Sequence, residues 1–166
     1  MERGWSSVSF GVLLIAALVA VPLSGSLLPA VVASHFGVHG EANGFMPRGS
    51  YLLLMTVFTV GVPLLMVGSV AWRARRGPDR LKLPNREHWL APERRAQSVA
   101  YLVLHMARMG SLLILLMGYV QALVVRANLL QPPRMENMPL LAGVAVFLLV
   151  TLLWVAALHR RFGKPS

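Results

Sequence analysis

FGVLLIAALVAVPLSGSLL, Phe10 to Leu28, is a run of 19 residues without a charge. At ~1.5 Å of rise per residue, a helix of that length reaches roughly 28 Å, close to the ~30 Å hydrocarbon core of a bilayer. Three further runs share its character: Tyr51 to Trp72 with 22 residues, Met109 to Val125 with 17, and Leu140 to Leu158 with 19. All four are continuously apolar, without the inside–outside alternation of a membrane β-barrel. Lipid offers a backbone no hydrogen-bond partners, so each run must satisfy its own, which a helix does. The sequence therefore predicts an all-α fold, an integral membrane four-helix bundle in a single domain spanning 1–166. Its helices fall at about 9–28, 50–72, 97–126 and 139–159, and Pro22 and Pro63 should each kink one of them by removing a backbone donor.

The composition agrees. Of 166 residues, 56% are hydrophobic and 13% charged, against about 45–50% and 25% in soluble domains. That hydrophobicity excludes disorder. The count of Cys is 0, which excludes a disulfide scaffold, thiol redox chemistry, iron–sulfur clusters and Cys-based zinc sites.

Sixteen Lys and Arg against six Asp and Glu give a net charge of +10, which in a soluble chain would suggest nucleic acid. Here the charges sort by loop. The N-terminal tail holds Arg3, and the loop at 73–96 holds Arg73, Arg75, Arg76, Arg80, Lys82, Arg86, Arg94 and Arg95. The C-terminal tail holds Arg160, Arg161 and Lys164. With four spans these segments share a side, and it carries twelve cations against three (Arg48, Arg126 and Arg134) on the other. By the positive-inside rule both termini and the basic loop are cytoplasmic, and the loop at 29–49 is external. The charge thus reads as topology, and no nucleic-acid partner is expected. Arg3 and the small residues from Ala20 to Ser26 resemble a cleavable leader, but the apolar run continues through Leu27 and Leu28, so the first helix is expected to be retained.

The polar chemistry falls in three places. In the external loop, His35, Phe36, His39, Glu41, Asn43 and Phe45 are candidate contacts for an envelope ligand or partner. A helix there would bring His35 and His39 one turn apart, but Gly37 and Gly40 interrupt it, so no metal is expected. His35 is read instead as a hydrogen-bonding residue at the base of a folded loop. In the third helix, Tyr101, His105 and Arg108 recur at i, i+4 and i+7 and form a candidate polar face at the inner mouth, with Arg108 able to snorkel to the boundary. In the basic loop, Trp72, Trp89, Arg94 and Arg95 are candidate interfacial anchors. Pro92 followed by Glu93 marks a helix start. No Asp or Glu lies in any of the four runs, which argues against a proton- or cation-coupled transporter. No nucleophile–base constellation or phosphate loop occurs, so no enzyme and no cofactor are expected.

Two segments resemble a known family. PAVVASHFGVHGEANGFMPRGSYL, Pro29 to Leu52, is similar to the bacterial domain of unknown function 1648: a Pro ending helix one, His35-Phe36, Gly40, and Asn43-Gly44-Phe45 before helix two. LPNREHWLAPERRA, Leu83 to Ala96, resembles the cytoplasmic loop of its short four-helix members. The family includes distant relatives of the sporulation-delay toxin-immunity membrane protein, which protect a cell from a membrane-active peptide and signal by holding a repressor at the membrane. The resemblance implies a multi-pass protein of the bacterial cytoplasmic (inner) membrane, in a short form without that protein's additional helices, and it carries over no catalytic residue. The expected function is non-enzymatic binding or sensing of an envelope ligand or partner protein. The alternative is a small-solute or lipid carrier. Expected partners are the lipid bilayer and a membrane protein or a second copy of the chain.

Overall fold

The computed structural model describes residues 2–77 and 80–163; Lys164, counted above with the C-terminal tail, lies outside the described residues. The chain is mostly helical, and among the described residues four helical rods are long and apolar enough to cross a membrane. The first is α1 (Glu2–Leu23). It stops one residue past Pro22 instead of kinking through it and passes into a 3-10 turn, Ser24–Leu27. Pro22 lacks an N–H, and the hydroxyls of Ser24 and Ser26 donate to the carbonyls of Val21 and Leu23 at 2.6 and 2.8 Å, which gives two helix-end carbonyls a partner.

The second rod runs through α2 (Arg48–Thr56), a π turn (Val57–Gly61) and α3 (Val62–Arg76). Pro63 has no amide hydrogen for the carbonyl of Thr59. The ladder adjusts ahead of it: Val62 N–H reaches back five residues to Val57 O, so the widened turn absorbs the missing donor. After the short α4 (Arg86–Trp89), α5 (Pro92–Asn128) begins with its proline in the first turn, where no donor is needed. The last rod is α6 (Asn137–Phe162).

The all-α expectation needs correction. Residues between the first two rods form an antiparallel hairpin, β1 (Val31–Phe36) with β2 (Ala42–Pro47). Val32 lies opposite Met46, Ala33 opposite Phe45, His35 opposite Gly44 and Phe36 opposite Ala42, so Ser34 and Asn43 are bulged out of register. The β-branched Val31 and Val32 and the ring of Phe36 suit a half-buried pleat. The turn closes through Gly37 N–H to Glu41 O at 2.8 Å and Gly40 N–H to Gly37 O at 2.9 Å. Gly40 sits at φ +83, and a Cβ there would collide with the carbonyl of Met135, so glycine is required both for its dihedral and for its lack of a side chain.

α5 is the central rod, packed against α1, α3, α6 and β1. Its contacts form three apolar layers. One lies under the hairpin around Val32, Tyr51, Met55 and Val124. The middle layer joins Phe10, Ala17, Val60 and Ile114; there Phe10 presses into the backbone notch left by Gly110. The third joins Leu81, Trp89, Leu102 and Phe162. The hairpin and the 129–136 connector thus form one end of the molecule. The Arg-rich ends of α3, α4 and α6, with the start of α5, form the other.

Candidate functional site

The hairpin is locked to the helices by side chains from distant parts of the chain. Asn128, buried near the end of α5, faces the edge of β1. Its Oδ1 accepts from Ala33 N–H at 2.8 Å, and its Nδ2 donates to Ala33 O at 2.9 Å and to Val124 O at 2.9 Å. The carboxamide stands in for a third strand at that residue. Arg48 donates through Nη1 to Leu28 O at 3.0 Å and Gly25 O at 3.3 Å, fastening the start of α2 to the 3-10 turn that follows α1. Beneath the sheet, Tyr51 donates to Gln121 Oε1 at 2.6 Å and Gln121 Nε2 donates to Ser24 Oγ at 2.6 Å. With Ser24 donating to Val21, this relay links three rods and leaves no member of it unbonded.

The connector folds back over the hairpin turn. Met135 N–H donates to Gly40 O at 2.9 Å, Arg134 Nη2 to His39 O at 3.3 Å, and Asn137 Nδ2 to Val38 O. Glu41 and Arg134 pair as a short antiparallel bridge. Arg126 and Glu136 form an ion pair at 2.9 Å across the connector's ends. Between the connector and β2 lies an open hollow of about 480 Å³ lined by His39, Glu41, Phe45, Pro132, Pro133 and Arg134. It gathers a carboxylate, a guanidinium, an imidazole and three apolar rings on a framework tied down at several points. Such a surface can orient a ligand that has both charged and apolar groups.

The structure brings His39, Glu41 and Phe45 together, and it adds Arg134, Pro132 and Pro133, which the sequence reading missed because they lie about 90 residues away in the chain. Asn43 is exposed at its bulge, and Phe36 packs against the layer under the hairpin. His35 does not act as the expected hydrogen-bonding base. It is exposed on β1, its Cβ lies against Gly44, and its ring makes no hydrogen bond among the described residues. Asn128 and Arg48 hold the hairpin base instead. The helix that would stack His35 on His39 does not form, since one lies on a strand and the other in the turn.

At the basic end the expected polar face divides. The ring of His105 is buried between Tyr101, at 5.2 Å, and Trp154, at 4.4 Å, both stacked, whereas Arg108 is exposed. His105 Nε2 lies 3.1 Å from Trp154 O, and Trp154 Nε1 donates to His105 O at 2.9 Å. A carbonyl only accepts, so the proton is on Nε2, and the two side chains clamp α5 to α6 reciprocally. Trp89 is not an interfacial anchor. It is 3% exposed, donates to Phe162 O at 3.1 Å and lies under the guanidinium of Arg161. Its N–H finds a partner at the last residue of α6, which the local sequence did not reveal. Trp72 is half exposed, with Arg76 over its ring at 5.1 Å. Arg94 and Arg95 are exposed, Arg94 with its Nη1 3.2 Å from His88 Nδ1.

Residues 9–60, which include most of α1, the whole hairpin and α2, match a family model described as Domain of unknown function (DUF1648). Over these residues the match supports membership of the DUF1648 family. The DUF1648 segment supplies one wall of the hollow, from His39 to Phe45, and the 129–136 connector supplies the rest. No curated protein and no solved structure matches the chain.

Proposed function

We propose that this DUF1648 protein is a non-enzymatic, multi-pass protein of the bacterial inner membrane, with both termini cytoplasmic, that binds an envelope ligand or partner protein in the hollow beside its hairpin. The observation that carries the reading is the hollow itself: His39, Glu41, Phe45 and Arg134 converge on about 480 Å³, on a hairpin fixed by Asn128. A fixed surface loses little conformational freedom when a ligand docks, which favours specific recognition. The charge asymmetry read from the sequence puts this end outside, where an envelope ligand arrives.

The test is site-specific photocrosslinking in intact cells. A photoreactive residue in place of Phe45 should give a discrete adduct, lost when Arg134→Ala and Glu41→Gln are introduced. The same group in place of Val8, on the outer face of α1, should give lipid adducts only. Equal protein adducts from both positions, or an adduct indifferent to Arg134 and Glu41, would remove the hollow as the recognition site. Substrate-dependent flux in proteoliposomes would favour the carrier alternative instead.

A further inference from the structure

A second hollow lies on the flank of the molecule, away from the hairpin turn. It runs between α1 and α5 with a volume of about 640 Å³. Its deep part is apolar apart from the buried hydroxyl of Thr59, and it is made concave by small residues, Ala16 and Ala20 on α1 and Gly118 and Ala122 on α5. A side chain at Gly118 would enter open space, with no atom within 4 Å. Toward the hairpin end the lining becomes polar in sequence: first Gln121 with Ser24, then Arg126 at the rim. From Ile114 to Arg126 the α5 wall rises roughly 18 Å, close to the ~15 Å of one leaflet's hydrocarbon.

We propose that this groove is a site for one phospholipid of the leaflet at the hairpin end, with preference for an anionic headgroup. Its order of chemistry follows the molecule from tail to head. The acyl chain takes the stretch from Leu13 and Ile114 to Gly118. The ester carbonyl lies level with Gln121, whose Nε2 has a second N–H besides the one given to Ser24. The phosphate meets Arg126, whose Nη2 is held by Glu136 in an exposed pair. An exposed pair of this kind is weak enough to be shared with an arriving phosphate, and a guanidinium has five N–H groups to divide between two acceptors. The charge on Arg126 selects the anionic headgroup, and the concave wall selects a chain over a flat lipid contact. The site stands apart from the hairpin hollow and does not depend on its reading.

The full chain is purified in mild detergent, exchanged into nanodiscs of phosphatidylcholine containing phosphatidylglycerol, and released for native mass spectrometry. Wild-type protein should retain one phosphatidylglycerol per chain, enriched over phosphatidylcholine. Gly118→Leu fills the groove where nothing stands in its way and should cut retention of both lipids at least tenfold. Arg126→Gln should keep a lipid but reduce the preference for phosphatidylglycerol about fivefold. Gly68→Leu adds the same side chain on α3, also into open space, and should leave retention unchanged. Helicity by circular dichroism confirms that each variant is folded. Retention in Gly118→Leu equal to wild type, or equal loss in Gly68→Leu, would overturn the site, and an Arg126→Gln preference equal to wild type would overturn the headgroup assignment. Loss of the Phe45 photoadduct leaves this result untouched, so the two proposals fail separately.

Discussion

Asn128 shows how one side chain can set the geometry of the whole hairpin end. Its amide pairs both the N–H and the C=O of Ala33, so its removal orphans two backbone groups in a buried place. Leaving a buried donor or acceptor unsatisfied costs about 1–3 kcal/mol. Asn128→Ala should therefore destabilise the hairpin end by about 2 kcal/mol or more and open the turn at Val38 and His39 to protease, while helicity stays near wild type. Asn128→Asp should be at least as damaging, because it keeps the acceptor for Ala33 N–H but has no N–H to give Ala33 O. Limited proteolysis in detergent reads this directly. Cleavage at the turn no faster in Asn128→Ala than in wild type would show that the hairpin is held by packing alone.

At the scale of elements, the rods were legible and the hairpin was not. A rod announces itself through 17 or more apolar residues in succession, a signal strong enough to survive Pro22 and Pro63. A strand pair depends on alternation, and here the bulges at Ser34 and Asn43 break the period of two, so Gly37 and Gly40 read as breaks in a folded loop without revealing the strands on either side. Gln121 carried a usable signal, an amide inside an apolar run, which in a membrane bundle marks a cross-helix hydrogen bond. Trp89 misled because it stands in an arginine-rich loop, while its real partner, Phe162, lies 73 residues on. Of the candidate polar face at Tyr101, His105 and Arg108, the first two residues stack and the third is exposed.

The joint between α5 and α6 depends on one such pair. Most of α6 is exposed, including Leu141, Leu148, Leu152 and Leu153, so few contacts besides those of His105 and Trp154 hold its middle. His105→Phe and Trp154→Phe each remove one side-chain-to-backbone hydrogen bond between the helices, and each should destabilise the joint by about 0.6 kcal/mol and by no more than about 1.7 kcal/mol, read by unfolding in detergent. A stability within about 0.3 kcal/mol of wild type in both variants would show that the reciprocal bonds contribute nothing specific to the joint.

At the scale of the molecule, the two ends differ in chemistry. One end gathers Arg73, Arg75, Arg76, Arg94, Arg95, Arg160 and Arg161 at helix termini; the other carries the hairpin, the connector and the two hollows' polar rims. The reading of the hairpin end as a recognition face requires that it lie outside. Since the sequence has no cysteine, one introduced at a chosen position reports that position alone. Val38 is 84% exposed at the hairpin turn, and Arg75 is exposed at the basic end. With a membrane-impermeant maleimide on intact cells, Val38→Cys should label fully, and Arg75→Cys should label only after the membrane is permeabilised. Labelling of Arg75→Cys in intact cells, with Val38→Cys protected, would place the hairpin in the cytoplasm and contradict the proposed recognition of an envelope ligand there.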